Sequence, residues 1–535
     1  MTESIPPAVA VPQSPVLQRH DIVLSRGRLA LVNDGLTPAE ATVSDLLFIR
    51  AVLDAAGIDF LLVRGNGSRP VIAVDESSRE DLAAALAEAS AGEPFYAKAA
   101  HGCRRSSVLV SDGRLSNEPD TAAVVLFRPR VSRRGGLRYG AALGVRVEFW
   151  RREDDVARGS KNALMRDIAP IGELVPSTVE LYGMSWPTIE GMFERQAHDI
   201  DFDIDLVFSW VDGASIEWQR ARARRMQSYV VGEGDDSQAR FRQLDELKYA
   251  LRSVHLFAPW IRNVYIVTDS PRPDWLAEHP RVRIAPSEEF FADPSVLPTH
   301  NSHAVESQLH NIPGLSEHFL YSNDDMFFGR PVGPEFFFSP GGVSRFIEST
   351  TRIGLGGPNP QRSGFENAAR INRELLRTRF GKLIGRHLEH TPVPMRISVV
   401  RELEAEFPEE FARTAASTFR SATDISVTNS LYHYYALFTG RAVLETRAKV
   451  KYVDTTARSG LVAMRRLLDR RTTDLFCLND GSFPEISDED RADAVREFLD
   501  DYYPIAAPWE REVAEGDAAA DRTAVRQQRH AEESH

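Results

Sequence analysis

Apolar positions along this chain fall into short runs of strand length, separated by stretches with helical spacing. Runs at 59–63, 71–74, 107–110, 122–127 and 145–150 read as strands, and two helices stand among them. One covers 39–56 and opens at Thr37-Pro38, an N-cap followed by a first-turn proline. The other covers 78–91 and is rich in Ala, Leu and Glu. Further on, I-D-L-V-F-S-W (204–210) reads as a strand, 218–229 as an Arg-rich helix and 232–237 as a polar loop. Residues 242–257 carry Leu244, Leu247, Leu251 and Val254 at amphipathic-helix spacing. A strand at 263–268, a helix from near Ser302 to His310 and a strand at 319–322 follow. This β-α-β-α-β order predicts a parallel sheet and therefore an α/β fold.

Beyond residue 340 the pattern changes. G-G (341–342) and G-L-G-G-P-N-P (354–360) mark loops, with polar helices expected at 366–379, 399–407 and 428–438. Residues 340–440 thus read as a mostly helical insertion or lid over the sheet. The chain divides into a disordered start (1–19), a separate N-terminal α/β domain of unassigned role (21–190), a catalytic domain (195–510) and a flexible tail (512–535). Asp75, Glu76 and Glu148 lie near strands of the first domain and read as solvated acids. Tyr432, Tyr434 and Tyr435 read as core.

Composition narrows the function classes. With 535 residues, 42% hydrophobic and 26% charged, the chain has the make-up of a soluble globular protein. A net charge of −13 excludes a nucleic-acid binder that works by broad phosphate neutralisation. The two cysteines, Cys103 and Cys477, lie far apart and match no metal spacing, which fits a reducing cytoplasm. The start, M-T-E-S-I-P-P-A-V-A, has neither the basic nor the apolar region of a secretory signal. No apolar run is long enough to span a bilayer, so membrane contact is expected to be peripheral at most.

The chemistry points to strand ends. The run L-Y-S-N-D-D-M-F-F (320–328) stops at Asn323, Asp324 and Asp325, where an open α/β sheet presents ligand groups. The strands before Asp212 and Asp269 end the same way. Parallel strands would bring these acids to one rim, suited to a divalent cation and a nucleotide phosphate. Glu306 and His310 are four apart and His303 shares their face on a helix, which allows a metal site as well as a plain polar face. His390 precedes Thr391-Pro392 and so belongs on an extended turn.

Four blocks carry a resemblance. I-D-L-V-F-S-W-V-D-G (204–213) comes first. The second runs from R-F-R-Q-L-D-E-L-K-Y-A-L-R-S-V (240–254) through L-P-T-H-N-S-H-A-V-E-S-Q-L-H (297–310) to F-L-Y-S-N-D-D-M-F-F-G (319–329). H-L-E-H-T-P (387–392), F-R-S-A-T-D (419–424) and N-S-L-Y-H-Y-Y (429–435) form the third, and F-C-L-N-D (476–480) the fourth. In this order they resemble the Stealth family of sugar-phosphate transferases, which includes bacterial exopolysaccharide phosphotransferases and the catalytic subunit of GlcNAc-1-phosphotransferase. The chain departs from the family in W-V-D-G, where relatives often have Asn before Gly, and at His303, where some have proline.

The resemblance implies a Rossmann-like nucleotide-sugar-binding sheet and transfer of a hexose 1-phosphate from a nucleotide sugar, UDP-linked, to a carbohydrate hydroxyl. A phosphodiester forms and a nucleoside monophosphate leaves. By motif position, the catalytic residues fall on Asp325, His390, Arg420 and Glu306. Substrate contacts are expected from Asp212, Arg252, His303, Asn323 and Asn479, and metal contacts, to Mg²⁺ or Mn²⁺, from Asp324 and Asp480. Asp325 could bind that metal or accept the acceptor's proton. The expected partners are a nucleotide-sugar donor and a glycan acceptor. Two other readings stay open: a metal-dependent glycosyltransferase that releases the nucleoside diphosphate, and a non-catalytic sugar- or nucleotide-binding module.

Overall fold

The computed structural model describes residues 19–100, 106–118, 121–213, 244–481 and 484–511. The expected disordered start up to residue 18, Cys103, the Arg-rich helix at 218–229, the loop at 232–237 and the tail from 512 lie outside these described residues. The described chain forms two compact units. One holds residues up to Asp199 with Glu497–Ile505, and the other Ile200–Arg496 with residues from Ala506 on.

The first unit is a mixed α/β structure. Val145–Glu153 is central to its larger sheet, pairing antiparallel with Ala123–Phe127 and parallel with Val71–Asp75. The helix Pro38–Ala56 begins with a full capping box, Thr37 and Glu40 satisfying each other's backbone N–H, and stops at Gly57 in the left-handed region. Its Leu46, Ile49 and Leu53 meet Leu82 and Leu86 of the helix Arg79–Ala89 over the sheet. Glu148 is buried and receives Arg146 and the Trp150 indole N–H, so this acid is structural rather than solvated.

In the second unit, strands β1 (Ile204–Ser209), β2 (Val264–Val267), β3 (Val282–Ala285) and β4 (His318–Asn323) are mutually parallel in the spatial order β3-β2-β1-β4. The register places Ser209 opposite Asn323, so β1 and β4 end level. Sequence order reverses between these two strands, and such a switch point opens a crevice at the strands' carboxyl ends. At the opposite end, the buried Asp205 takes both arms of the Arg262 guanidinium at 2.9 and 2.6 Å and the N–H of Ser316 at 2.8 Å. The acidic approach to β1 therefore anchors the sheet.

The chain then turns a corner. Two residues after β4, β5 (Met326–Phe328) leaves the main sheet and pairs antiparallel with β8 (Leu475–Asn479), which runs parallel to β7 (Val450–Asp454). The expected mostly helical segment is present, with short strands besides. Residues 340–440 do hold the helices Gly364–Phe380, Ile397–Glu406, Pro408–Ala415 and Tyr432–Phe438. They also hold four strands, and one of these, β6 (Val393–Arg396), completes the main sheet antiparallel to β4. The segment is therefore built into the sheet. Its strand V-P-M-R is too short to show a period, and Pro394 is tolerated because the strand is an edge. Tyr432, Tyr434 and Tyr435 are core, as read.

Candidate active site

Asp324 and Asp325 form the corner between β4 and β5, fixed by the Leu478 N–H donating to the Asp325 carbonyl at 3.0 Å. Asp325 Oδ2 lies 3.3 Å from His390 Nε2 and receives the Cys477 thiol at 3.3 Å. Oδ1 is buried and meets no hydrogen-bond partner among the described residues. Burial works against a charged His390, but the charge and hydrogen bond of Asp325 outweigh it and raise the ring's pKa above its ordinary value. Burial pushes the Cys477 thiol well above the usual range and the Asp325 charge adds to this, so Cys477 acts as a neutral donor.

A second pair sits beside the first. Glu306 ends the short helix Ser302–Glu306 and is buried. Its Oε2 accepts the Thr428 hydroxyl at 2.7 Å and its Oε1 the Tyr321 hydroxyl at 3.2 Å. Burial raises its pKa against the Thr428 hydrogen bond and the positive charge of Arg420. Arg420 donates from Nη2 to Ser302 Oγ at 2.7 Å, and its charge also acts on His390. Asp325, His390, Arg420 and Glu306 therefore form one electrostatic cluster, although more than a hundred residues separate its ends. The stitching is local. His300 N–H donates to the Thr418 carbonyl at 2.8 Å, and Asn301 Nδ2 reaches the buried Asp424 at 2.8 Å, which sews the Arg420 loop onto the entry to the Glu306 helix.

The corner is rich in carboxyls. Asp324 is driven well above the usual carboxylate range, first by burial and then by the charges of Asp325 and Glu246. Glu246 opens the helix Glu246–Phe257 and is itself raised by burial. Asp245, just before it, adopts φ 61, a left-handed conformation that Asp tolerates better than most residues. Crowded acids and the partnerless Asp325 Oδ1 suit a hard divalent cation. The ligand atoms of Asp325, His390 and Cys477 also lie within 4.8 Å of one another. The thiol donates its proton to Asp325 there, so the oxygen side of the corner suits Mg²⁺ or Mn²⁺ better than the sulfur side does.

The other expected residues distribute unevenly. Asn323 ends β4 next to the corner, and Asn479 ends β8 with its Oδ1 accepting the Asp480 N–H at 2.7 Å. Asp480 pairs with Arg491 and accepts the Thr455 hydroxyl at 2.9 Å. Asp212 follows β1, its N–H held by Ser270 Oγ at 2.8 Å, while Asp269 caps the Ser287 N–H at 2.7 Å. Arg252 forks onto Glu510 with two bonds of 2.7 Å. The helix-face metal site is not formed: the helix is only Ser302–Glu306, because Ser307 Oγ bonds back to the Ala304 carbonyl and the chain tightens into the turn Leu309–Asn311. His303 faces Asp424 at 3.9 Å and His310 binds Glu404 at 2.8 Å, both away from the partners of Glu306. Sequence reading did not single out Glu246, Tyr321, Thr428, Arg491 or the role of Cys477. The first four needed the tertiary fold, and from sequence Cys477 reads only as a cysteine that matches no metal spacing.

Comparison with known proteins accords with this architecture. Stealth protein conserved regions 1, 2, 3 and 4 match residues 202–230, 240–346, 389–437 and 465–519. The exopolysaccharide phosphotransferase CpsY of Mycobacterium tuberculosis (strain CDC 1551 / Oshkosh) is 58% identical over 94% of this chain and 95% of its own length. CpsY of Mycobacterium leprae is 58% identical over 92% and 90%, and an exopolysaccharide phosphotransferase of Nocardia farcinica 52% over 90% and 89%. The galactosyltransferase LgtC aligns over 58% of this chain and 98% of its own at 12% identity, but a TM-score of 0.29 is too low to bear on the fold. With four conserved regions in order and close relatives matched nearly end to end, the chain is a transferase that belongs to the Stealth family of exopolysaccharide phosphotransferases.

Proposed function

We propose that this chain transfers hexose 1-phosphate from a UDP-linked sugar to a carbohydrate hydroxyl, forming a phosphodiester and releasing UMP. The observation that carries the proposal is the convergence of Asp325–His390 with Glu306–Arg420 at the switch-point crevice. Phosphoryl transfer asks mainly for positioning and for charge where charge develops. Arg420 would present its guanidinium to the transferred phosphate, with Ser302 Oγ accepting from one arm and the charge of Glu306 acting on it. His390 turns Nε2 to Asp325, which leaves Nδ1 for the acceptor hydroxyl. As the hydroxyl oxygen bonds to the β-phosphorus and the bond to the bridging oxygen breaks, His390 takes the proton. Asp325 stabilises the imidazolium that results.

Asp324 and Asp325 Oδ1 would hold Mg²⁺ or Mn²⁺, which when bound neutralises the donor's diphosphate. Asn323, Asn479 and Asp212, at the ends of neighbouring strands, would contact the donor. The enzyme would work in the cytoplasm. The test is to incubate the purified protein with UDP-sugars, an oligosaccharide acceptor and Mg²⁺, and to identify the released nucleotide. UMP supports the proposal, and UDP as the sole product overturns it in favour of glycosyl transfer.

A further inference from the structure

Thr428 stands where the backbone is wound wider than an α-helix. Residues Val427–Leu431 form a π-helical turn that runs directly into the helix Tyr432–Phe438. The Leu431 N–H donates to the Ser426 carbonyl at 3.2 Å and the Tyr432 N–H to the Val427 carbonyl, each reaching five residues back. Such a turn takes one residue more than an α-helical turn, and one residue rotates a helix by about 100°. Side chains before Tyr432 are therefore aimed differently from those of an unbroken helix, while the helix beyond still buries Tyr432, Tyr434 and Tyr435.

The wide turn is held from two sides. Asn372, on the helix Gly364–Phe380, donates from Nδ2 to the Ser426 carbonyl at 2.8 Å and to the Ser430 hydroxyl at 2.7 Å. His433 Nε2 meets the Thr428 carbonyl at 2.9 Å. Burial lowers the His433 pKa to about 3, so the ring is neutral and Nε2 carries the proton of this bond. Both Asn372 and His433 are buried.

The turn brings one group to the site. A threonine within a helix often turns its hydroxyl back to a carbonyl of the preceding turn. The Thr428 hydroxyl donates instead to Glu306 Oε2 at 2.7 Å, with both residues buried. Glu306 also accepts the Tyr321 hydroxyl at 3.2 Å, and its charge interacts with those of Arg420 and His390. Burial favours the neutral acid at Glu306, and the bond from Thr428 is the strongest influence against it.

We propose that Thr428, aimed by the π-helical turn, is a positioning residue that keeps Glu306 charged and in place, so that its charge acts on Arg420 during transfer. The proposal rests on the roles given above to Glu306 and Arg420.

The test compares side chains at this one position in the full chain. Thr428→Val keeps the shape and removes the donor. It should lower kcat roughly tenfold at unchanged KM, as expected for a lost hydrogen bond to a charged group. Thr428→Ser keeps the donor and should stay within about twofold of wild type. Thr428→Ala removes the same hydroxyl in a smaller side chain and serves if the valine variant does not fold. In a Glu306→Gln background, where a neutral amide replaces the carboxylate, losing the hydroxyl should lower kcat by no more than about twofold further. Wild-type kcat without the hydroxyl, a change confined to KM, a serine variant as slow as the valine one, or a loss undiminished in the Glu306→Gln background would overturn the proposal. The nucleotide released is identified in the same reactions. UDP in place of UMP would overturn the phosphoryl-transfer reading and leave the comparison at Thr428 standing, whereas UMP with no effect at Thr428 would overturn the positioning role alone.

Discussion

At the residue scale, the two oxygens of Asp325 have different tasks. Oδ2 takes His390 and Cys477, while Oδ1 is buried and meets no hydrogen-bond partner among the described residues. His390→Ala should therefore lower the transfer rate by roughly 10²- to 10⁴-fold, the range lost when a positioned acid–base group is removed, with little change in unfolding temperature. UMP release measures this. Asp325→Asn should lose at least as much, because one change removes both the partner of His390 and a cation ligand. Cys477 offers a finer test. Cys477→Ser keeps a donor and should stay near wild-type activity. Cys477→Ala removes one hydrogen bond, worth about 1 kcal/mol, and should lower kcat by roughly fivefold at unchanged KM. Equal activity of the alanine and serine variants would show that the thiol only fills space.

At the element scale, the Arg420 loop lies against the first residue of the helix Gly364–Phe380. Helix propensity alone would make Gly364→Ala stabilising by up to about 1 kcal/mol. Its Cβ would meet Arg420 Cβ at 2.7 Å, however, so the substitution should cost transfer activity while stability changes little. Steady-state kinetics beside thermal unfolding separates the two effects.

The sheet makes a pH prediction of its own. His318, at the start of β4, stacks on Phe202 at 3.8 Å, and burial lowers its pKa from 6.5 to about 4. The folded state thus binds this proton less readily than the unfolded chain does. Stability is full above pH 6.5 and falls as pH drops towards 4, by up to about 3 kcal/mol for this one group. Urea unfolding of wild type and His318→Leu at several pH values checks this, the variant showing a shallower acid slope.

The same elements show what the sequence could and could not reveal. Helix Pro38–Ala56 was legible because Thr37, Pro38 and Glu40 are local signals, and β1, β2 and β4 because each is an apolar run ending in a turn residue. β6 was not, since four residues with a proline show no period and become a strand only by pairing with β4. The helix expected through His310 failed because Ser307 and Gln308 satisfy the backbone locally.

For the whole molecule, convergence of the site was readable only as ordered blocks. Nothing local in Arg420 or Glu306 announces that their segments are sewn together through Asn301 and Asp424. Glu246 and Arg491 enter the same corner through folding alone. Asp324 and Glu246, both with raised pKa values, crowd against Asp325, and such a cluster of carboxyls calls for a counter-charge, so Mg²⁺ or Mn²⁺ should raise the unfolding temperature of wild type and not that of Asp324→Asn/Asp325→Asn. Chelation should abolish transfer, and either cation should restore it.

The most direct measurement follows the phosphorus itself. With a UDP-sugar labelled in its β-phosphate and an oligosaccharide acceptor, the account predicts that the label moves into the glycan as a phosphodiester while unlabelled UMP is released. Label retained in UDP, with sugar alone on the acceptor, would contradict it.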